Sequence, residues 1–372
     1  MSVRLGVIAL AGPNNGGTYQ YTLAMLHGLQ HVVGFDITLY GDPTNPDFLE
    51  FGYPIRPFEE SRWRQLTALA AHRLHVRLPD PFGSEDLLLA PIFSLALLHT
   101  SKPFAFTLHD LQENYYPQNF SARQRIWRHA IYAGLLGRAR RVICESRYVK
   151  ADIVGSFGVA DERIEIIAAP PQRQFMTAQS DAELDEVRRR LQLPSRFLFY
   201  PAQFWVHKNH LRLVEAFNEV LKEAPDLKLV LTGKQRDEYR NVMDAVARLG
   251  LDQSVVHVGF VERDELQAIY RLATALVMPS LFESISIPVY EAFLAGAPVI
   301  ASGIHGIPEQ VGDGALLFDP TSVASIRDAI LAVVRDGDLA RTLTAKARER
   351  MEKMTPEHYG EQLQSLLSDM QA

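Results

Sequence analysis

The chain has 372 residues, enough for two domains that each bury a substantial core, and its 38 Lys plus Arg against 44 Asp plus Glu give a net charge of −6. That balance, with 47% apolar residues, describes a soluble globular protein and excludes nucleic acid as a partner held by a basic surface. A single cysteine, Cys144 in the apolar run RRVICES, excludes an intramolecular disulfide and a cysteine-rich metal centre, and reads as packing in a reducing cytoplasm.

In chain order, the start MSVRLGVIALAGP has an apolar run too short for a signal peptide or a membrane span, and no later segment reaches spanning length. A cytoplasmic protein is expected, with any membrane contact peripheral. Short apolar runs bounded by Gly, Pro, Asn or Asp then recur at spacings that leave room for a helix, the pattern of parallel βαβ units. The first set is RLGVIAL, FDITLYG, DLLLAP, FAFTLHD, RRVICES and IEIIAAP; the second is FLFYPAQ, LKLVLTGK, VVHVGF, ALVMPS, PVIASG and ALLFDP. This predicts an α/β fold of two open, Rossmann-like parallel sheets of about six strands each. Ligands in such sheets bind at the carboxyl ends of strands, so a cleft between the domains is the expected site.

The expected boundaries are a first domain over 1–171, a linker over 172–194, a second domain over 195–354 and a terminal helix over 355–372. The linker begins with a proline pair and carries a charged helical pattern. The last helix, TPEHYGEQLQSLLSDM, has Thr355 as N-cap and Pro356 at its first position, with Tyr359, Leu363, Leu366 and Leu367 on one stripe that needs a surface.

Four stretches carry candidate chemistry. After the first strand, LAGPNNGGTYQ places Gly16 and Gly17 where backbone can approach a ligand, although a tight strand-to-helix turn needs glycine anyway. FTLHDLQENYYP ends another strand with His109 and Asp110, and His109 faces the expected cleft as a hydrogen-bonding or electrostatic partner. FYPAQFWVHKNHLRLVEAF puts Lys208 in a loop before a helix, where an ammonium can reach a phosphate; His207 and His210 read as loop and cap residues, since their spacing lacks a third metal ligand.

The fourth, PSLFESISIPVYEAFLAGAPVIAS, holds Glu283 and Glu291 with seven residues between them and no Lys or Arg beside either. Ser286 and Pro288 mark the start of a helix, so the backbone N–H groups around Ser284, Ile285, Ser286 and Ile287 are expected to point out of its N-terminus as an anion site. Two carboxylates flanking that anion site suit a ligand with hydroxyls on either side of a diphosphate, which is the shape of a sugar nucleotide.

The run GFVERDELQAIYRLATALVMPSLFESISIPVYEAFLAGAPVIASGIHGIPEQVGDGALLFDP resembles the donor-binding half of the retaining glycosyltransferases of family 4, which have the GT-B fold. The glycine pair at 16 and 17, the His109–Asp110 dipeptide, the HKNH lysine and the terminal helix extend that resemblance over nearly the whole chain. It implies a terminal helix that crosses back onto the first domain, and a nucleoside-diphosphate sugar as substrate with no cofactor and no metal. It also implies a glycan or lipid-linked acceptor. Glu283 would then hold hydroxyls of the transferred sugar, Glu291 the ribose and Lys208 the diphosphate. Amides near Ser286 and Ile287 would meet the distal phosphate, Gly233 would line the nucleotide pocket, and His109 would sit beside the donor sugar.

Two departures stand out: Gln203 occupies a position where many members have arginine, and ESISIP replaces EGFGLP. The basic stretch SARQRIWRHAIYAGLLGRARR reads as an ordinary helix with a solvated face; its sharper reading is docking to an anionic membrane or a phosphate-bearing lipid. Sugar-nucleotide epimerases or hydrolases share the fold and ligand, and a sugar-binding protein would need an export signal. A nicotinamide dehydrogenase is disfavoured because neither first strand is followed by GxGxxG.

Overall fold

A computed structural model describes residues 2–76, 78–171 and 179–371. Residues 172–178 of the expected linker lie outside the described residues. The chain divides into two compact units, one of Met1–Pro170 with Met354–Ala372 and one of Pro171–Lys353. The second unit takes in the helix Asp181–Arg190 expected of the linker. A Ser180–Glu183 capping box starts this helix, and Arg190 pairs with Glu265 at 2.8 Å.

In the first unit the strands are β1 (Val3–Ala9), β2 (Phe35–Gly41), β3 (Ile55–Pro57), β4 (Leu87–Ala90), β5 (Phe104–Thr107), β6 (Arg141–Cys144) and β7 (Ile164–Ile166). They form one parallel sheet in the order β3-β2-β1-β4-β5-β6-β7. The second unit has β8 (Phe197–Pro201), β9 (Lys228–Thr232), β10 (Val255–Gly259), β11 (Ala275–Met278), β12 (Val299–Ser302) and β13 (Ala315–Phe318), ordered β10-β9-β8-β11-β12-β13. The central strands are buried on both faces, which is why LLLA, FAFT, ALVM and VIAS read as unbroken apolar runs rather than alternating ones. In each sheet the strand order reverses direction once, between β1 and β4 and between β8 and β11. At such a switch point the connections leave the sheet on opposite sides, and ligands of open α/β sheets bind in the crevice at the carboxyl ends there.

The terminal helix, Pro356–Gln371, belongs to the first unit and lies on the helix Gly17–Leu29. Tyr359, Leu363, Leu366, Leu367 and Met370 join Leu26 and Leu29 in one core, and the Tyr359 hydroxyl donates to Tyr21 at 3.2 Å. Two glycines permit the close crossing: a Cβ on Gly360 would stand 2.6 Å from the Gly28 carbonyl oxygen. Helix propensity alone favours alanine over glycine by about 1 kcal/mol. The crossing predicts the opposite sign, with Gly360→Ala costing roughly 1–3 kcal/mol through overpacking. Thermal unfolding of the full chain checks this: a melting transition several degrees lower is expected, and an unchanged or raised one would contradict the close approach.

Of the arginines of the basic helix Ala122–Arg138, Arg123 and Arg125 are exposed as its sequence suggests, while Arg128 and Arg138 are tied to the protein. Arg128 lies over the rings of Phe120 and Tyr132 and pairs with Glu113 at 3.0 Å, and Arg138 donates to the Thr100 carbonyl at 2.5 Å. Among the described residues no helix is long and apolar enough to cross a membrane.

Candidate functional site

Lys208 and Glu283 leave the two strands that flank the switch point of the second sheet. Lys208 ends the short turn Val206–Lys208 after β8, and Glu283 lies in the loop after β11. Their side chains meet, with Lys208 Nζ 2.5 Å from Glu283 Oε1 and both largely sheltered. The loops are clamped to hold them there. The Tyr200 hydroxyl donates to the Lys208 carbonyl at 2.8 Å and contacts Ser280 Oγ at 3.2 Å, while the Leu281 N–H donates to the His207 carbonyl at 2.7 Å. Asn209, at a left-handed φ of 61°, donates from Nδ2 to the carbonyls of Pro279 and Pro320. Burial, and then the adjacent Lys208, push His207 down to about 4, and burial with Lys208 pushes His210 down to about 3. Both imidazoles are therefore neutral near pH 7, which leaves Lys208 as the cation of this loop.

The helix Ile287–Ala295 begins as expected, with Ser286 as N-cap and Pro288 in its first turn. One part of the expected anion site is corrected. The Ser286 N–H is not open, because it donates to Gln310 Oε1 at 2.8 Å while Gln310 Nε2 donates to the Ser286 carbonyl at 2.6 Å. The buried Gln310 thus fixes the N-cap backbone from both sides. Three groups remain for an anion: among the described residues the amides of Ser284, Ile285 and Ile287 have no partner. Ser286 Oγ is also buried without a partner.

Glu291 lies one turn inside this helix and is 4% exposed. It accepts a hydrogen bond from the Tyr270 hydroxyl at 2.8 Å. Burial pushes its carboxyl up to about 7, against the lowering effect of that bond. The two glutamates thus differ in surroundings: Glu283 faces an ammonium, and Glu291 is buried against a tyrosine hydroxyl.

Gln203, the departure noted in the sequence, accepts from Arg236 Nε at 2.9 Å, and the Arg236 guanidinium lies 5.1 Å from the Trp205 ring centre. Gly233 is required by packing: at φ 125° a Cβ would stand 2.5 Å from the Ala202 carbonyl oxygen, and its N–H is taken by the Gly259 carbonyl at 2.9 Å.

In the first unit His109 follows β5, and both ring nitrogens are engaged, Nδ1 with Glu145 at 2.9 Å and Nε2 with the Pro91 carbonyl at 3.0 Å. Burial opposes protonation, yet the two acceptors outweigh it and raise the imidazole above its ordinary value. Tyr21 packs against the ring edge-on at 4.6 Å. Gly16 has φ 56° and ψ −123°, a conformation that favours glycine, and Gly17 opens the helix after β1. A cavity of about 700 Å³ at the carboxyl ends of β1 to β4 is lined by Gly12, Asn15, Asp42, Glu59, Glu60 and Phe93 among others. Among the described residues no group of three or more His, Cys, Asp or Glu side chains could hold a metal ion.

No local pattern in the chain marks Gln310, Tyr270, Glu145 or Arg236. Each is brought to its partner by chain from another βα unit.

Residues 15–169 match the family model described as Glycosyltransferase Family 4, and residues 182–350 match Glycosyl transferases group 1. The chain is 26% identical to the O-antigen chain mannosyltransferase RfbU of Salmonella typhimurium, covering 86% of this chain and 87% of that protein. It is 23% identical to a D-inositol 3-phosphate glycosyltransferase of Corynebacterium efficiens, over 77% of this chain and 69% of that one. Among solved structures, sucrose-phosphate synthase from Thermosynechococcus elongatus superposes with a TM-score of 0.76 at 21% identity, covering 99% of each chain. Anabaena HepE, solved with UDP and glucose, gives 0.76 at 18% identity, covering 99% of this chain and 100% of that one. With the two family models spanning most of its length and the GT-B fold shared with these structures, the chain belongs to the group 1 glycosyltransferases of family 4.

Proposed function

We propose that this protein moves a hexose from a nucleoside-diphosphate sugar to a hydroxyl of a glycan or lipid-linked acceptor, with retention of anomeric configuration and without a metal, in the assembly of a surface polysaccharide. The observation that carries this reading is the Lys208–Glu283 pair beside the open N-terminus of the helix Ile287–Ala295, at the switch point of the second sheet. Lys208 and the amides of Ser284, Ile285 and Ile287 suit the diphosphate. Glu283 suits hydroxyls of the transferred sugar, and Glu291 those of the ribose. The acceptor oxygen forms its bond to the anomeric carbon on the face from which the nucleoside diphosphate departs, and the acceptor proton passes to the departing phosphate oxygen. Catalysis then rests on stabilising the leaving group and on positioning.

RfbU is named a mannosyltransferase and HepE was solved with UDP and glucose, so GDP-mannose and UDP-hexoses are the donors to try first. For the acceptor, the acidic lining of the first unit's cavity favours neutral hydroxyls over phosphate.

The test begins with thermal unfolding in EDTA against UDP, GDP, ADP, dTDP and their sugars. One nucleotide is expected to raise the melting temperature by several degrees through mass action, and by less in Glu291→Ala. Product made from that donor and a glycan acceptor would then show the donor's anomeric configuration by NMR. Donor consumed equally with and without acceptor would support a hydrolase or epimerase instead, and no shift with any nucleotide would remove the donor site.

A further inference from the structure

The geometry points to Arg236 as the second cation for the donor's diphosphate, held in place by Gln203. This deepens the proposed function and rests on it.

A nucleotide sugar brings two negative charges, and Lys208, the cation of its own loop, already faces Glu283 at 2.5 Å. A further positive group is needed close to the same strand ends. Arg236 lies in the loop after β9, the neighbour of β8, and the two loops are bonded into one piece. The Ala202 N–H donates to the Thr232 carbonyl at 3.1 Å, the Phe204 N–H to the Lys234 carbonyl at 3.3 Å and the Glu238 N–H to the Phe204 carbonyl at 3.0 Å. Phe204 itself is fully buried, stacked on His210 at 4.3 Å and edge-on to Tyr239 at 5.0 Å. Arg236 therefore keeps a fixed relation to the loop that carries Lys208.

Its guanidinium is held on two sides only. Nε donates to Gln203 Oε1 at 2.9 Å, and one face lies over Trp205. Among the described residues no carboxylate pairs with it, and its two terminal nitrogens have no partner. A planar, permanently charged fork with its outer edge free is suited to two phosphate oxygens at once. Gln203 is then a positioning residue: a neutral acceptor that orients an arginine from the next strand, where an arginine at 203 would itself carry the charge. Lys234 occupies the same loop but lies over Phe260 at 5.7 Å, so it serves as the control for loss of one charge.

The experiment is calorimetric titration of UDP and GDP, and of uridine and guanosine, into wild type, Arg236→Ala, Lys234→Ala and Arg236→Ala with Gln203→Arg. Arg236→Ala is expected to weaken the preferred diphosphate about ten- to a hundredfold and to leave the nucleoside unchanged. Lys234→Ala should weaken it less than about twofold, and added Gln203→Arg should recover most of the loss. Wild type binding neither diphosphate would overturn the donor reading and this inference with it. Wild type that binds while Arg236→Ala binds equally well would overturn this inference alone. Equal loss of nucleoside and diphosphate, or no recovery with Gln203→Arg, would place the effect in loop packing and overturn it too.

Discussion

Replacing Lys208 with alanine is expected to lower sugar transfer by about 10²–10³-fold, the usual cost of removing one preorganised donor to developing charge. The charge that grows on the departing phosphate is met by the ammonium in a sheltered loop, where an ion pair near 4 Å is worth roughly 4 kcal/mol before desolvation. Part of the loss is expected from Glu283, which alanine at 208 leaves without its 2.5 Å partner. Glu283→Gln separates the two effects. The amide keeps a hydrogen-bonding oxygen for the ammonium but releases the Lys208 charge, so free nucleoside diphosphate should bind as tightly as in wild type or a fewfold tighter. Transfer should nevertheless fall, because the carboxylate that accepts from sugar hydroxyls is gone. Titration of the diphosphate beside initial rates of transfer reads both. If Glu283→Gln weakens the free diphosphate as much as Lys208→Ala does, the division of labour between cation and carboxylate is wrong.

The contact between Lys208 and Glu283 was not legible in the sequence, although each residue was. Lys208 and Glu283 are 75 positions apart, and only the strand order, which seats β8 beside β11, brings them together. Among the described residues, twelve strands announced themselves as apolar runs because sheets covered on both faces need them. The strand that did not, β3, is three residues at the sheet edge with Arg56 and Pro57 exposed, so neither burial nor length marks it. Local chemistry located the helix start at Ser286 and Pro288, since capping and proline preference are properties of neighbours. It could not show that the Ser286 amide is taken, because Gln310 arrives from 24 positions on. Gln203 was conspicuous as a departure, yet its meaning lies in Arg236, on a different βα unit. Patterns of adjacent residues thus marked where a site would form, and long-range pairing decided what each group in it can do.

Glu291 should make both stability and donor binding depend on pH, with opposite consequences. Its carboxyl is raised by burial from an ordinary 4.5 to about 7. Between these values the folded chain holds a proton that the unfolded chain has released, so this group's contribution to stability falls as pH rises through that window and is constant above it. The full difference is about 3 kcal/mol. Glu291→Gln keeps an acceptor for the Tyr270 hydroxyl without a charge to bury, so the variant without ligand should gain stability at pH 8 and little at pH 4. Denaturant unfolding at the two pH values measures this. In the proposed complex, ribose hydroxyls donating to Glu291 favour the carboxylate and draw its proton off. A nucleotide sugar, whose diphosphate has no group titrating near 7, should therefore release up to one proton on binding near neutral pH and bind more tightly as pH rises. Calorimetry in two buffers of different ionisation enthalpy counts that proton, and Glu291→Gln should abolish the release. Proton release that persists in the variant would assign it to another group and detach Glu291 from the ribose.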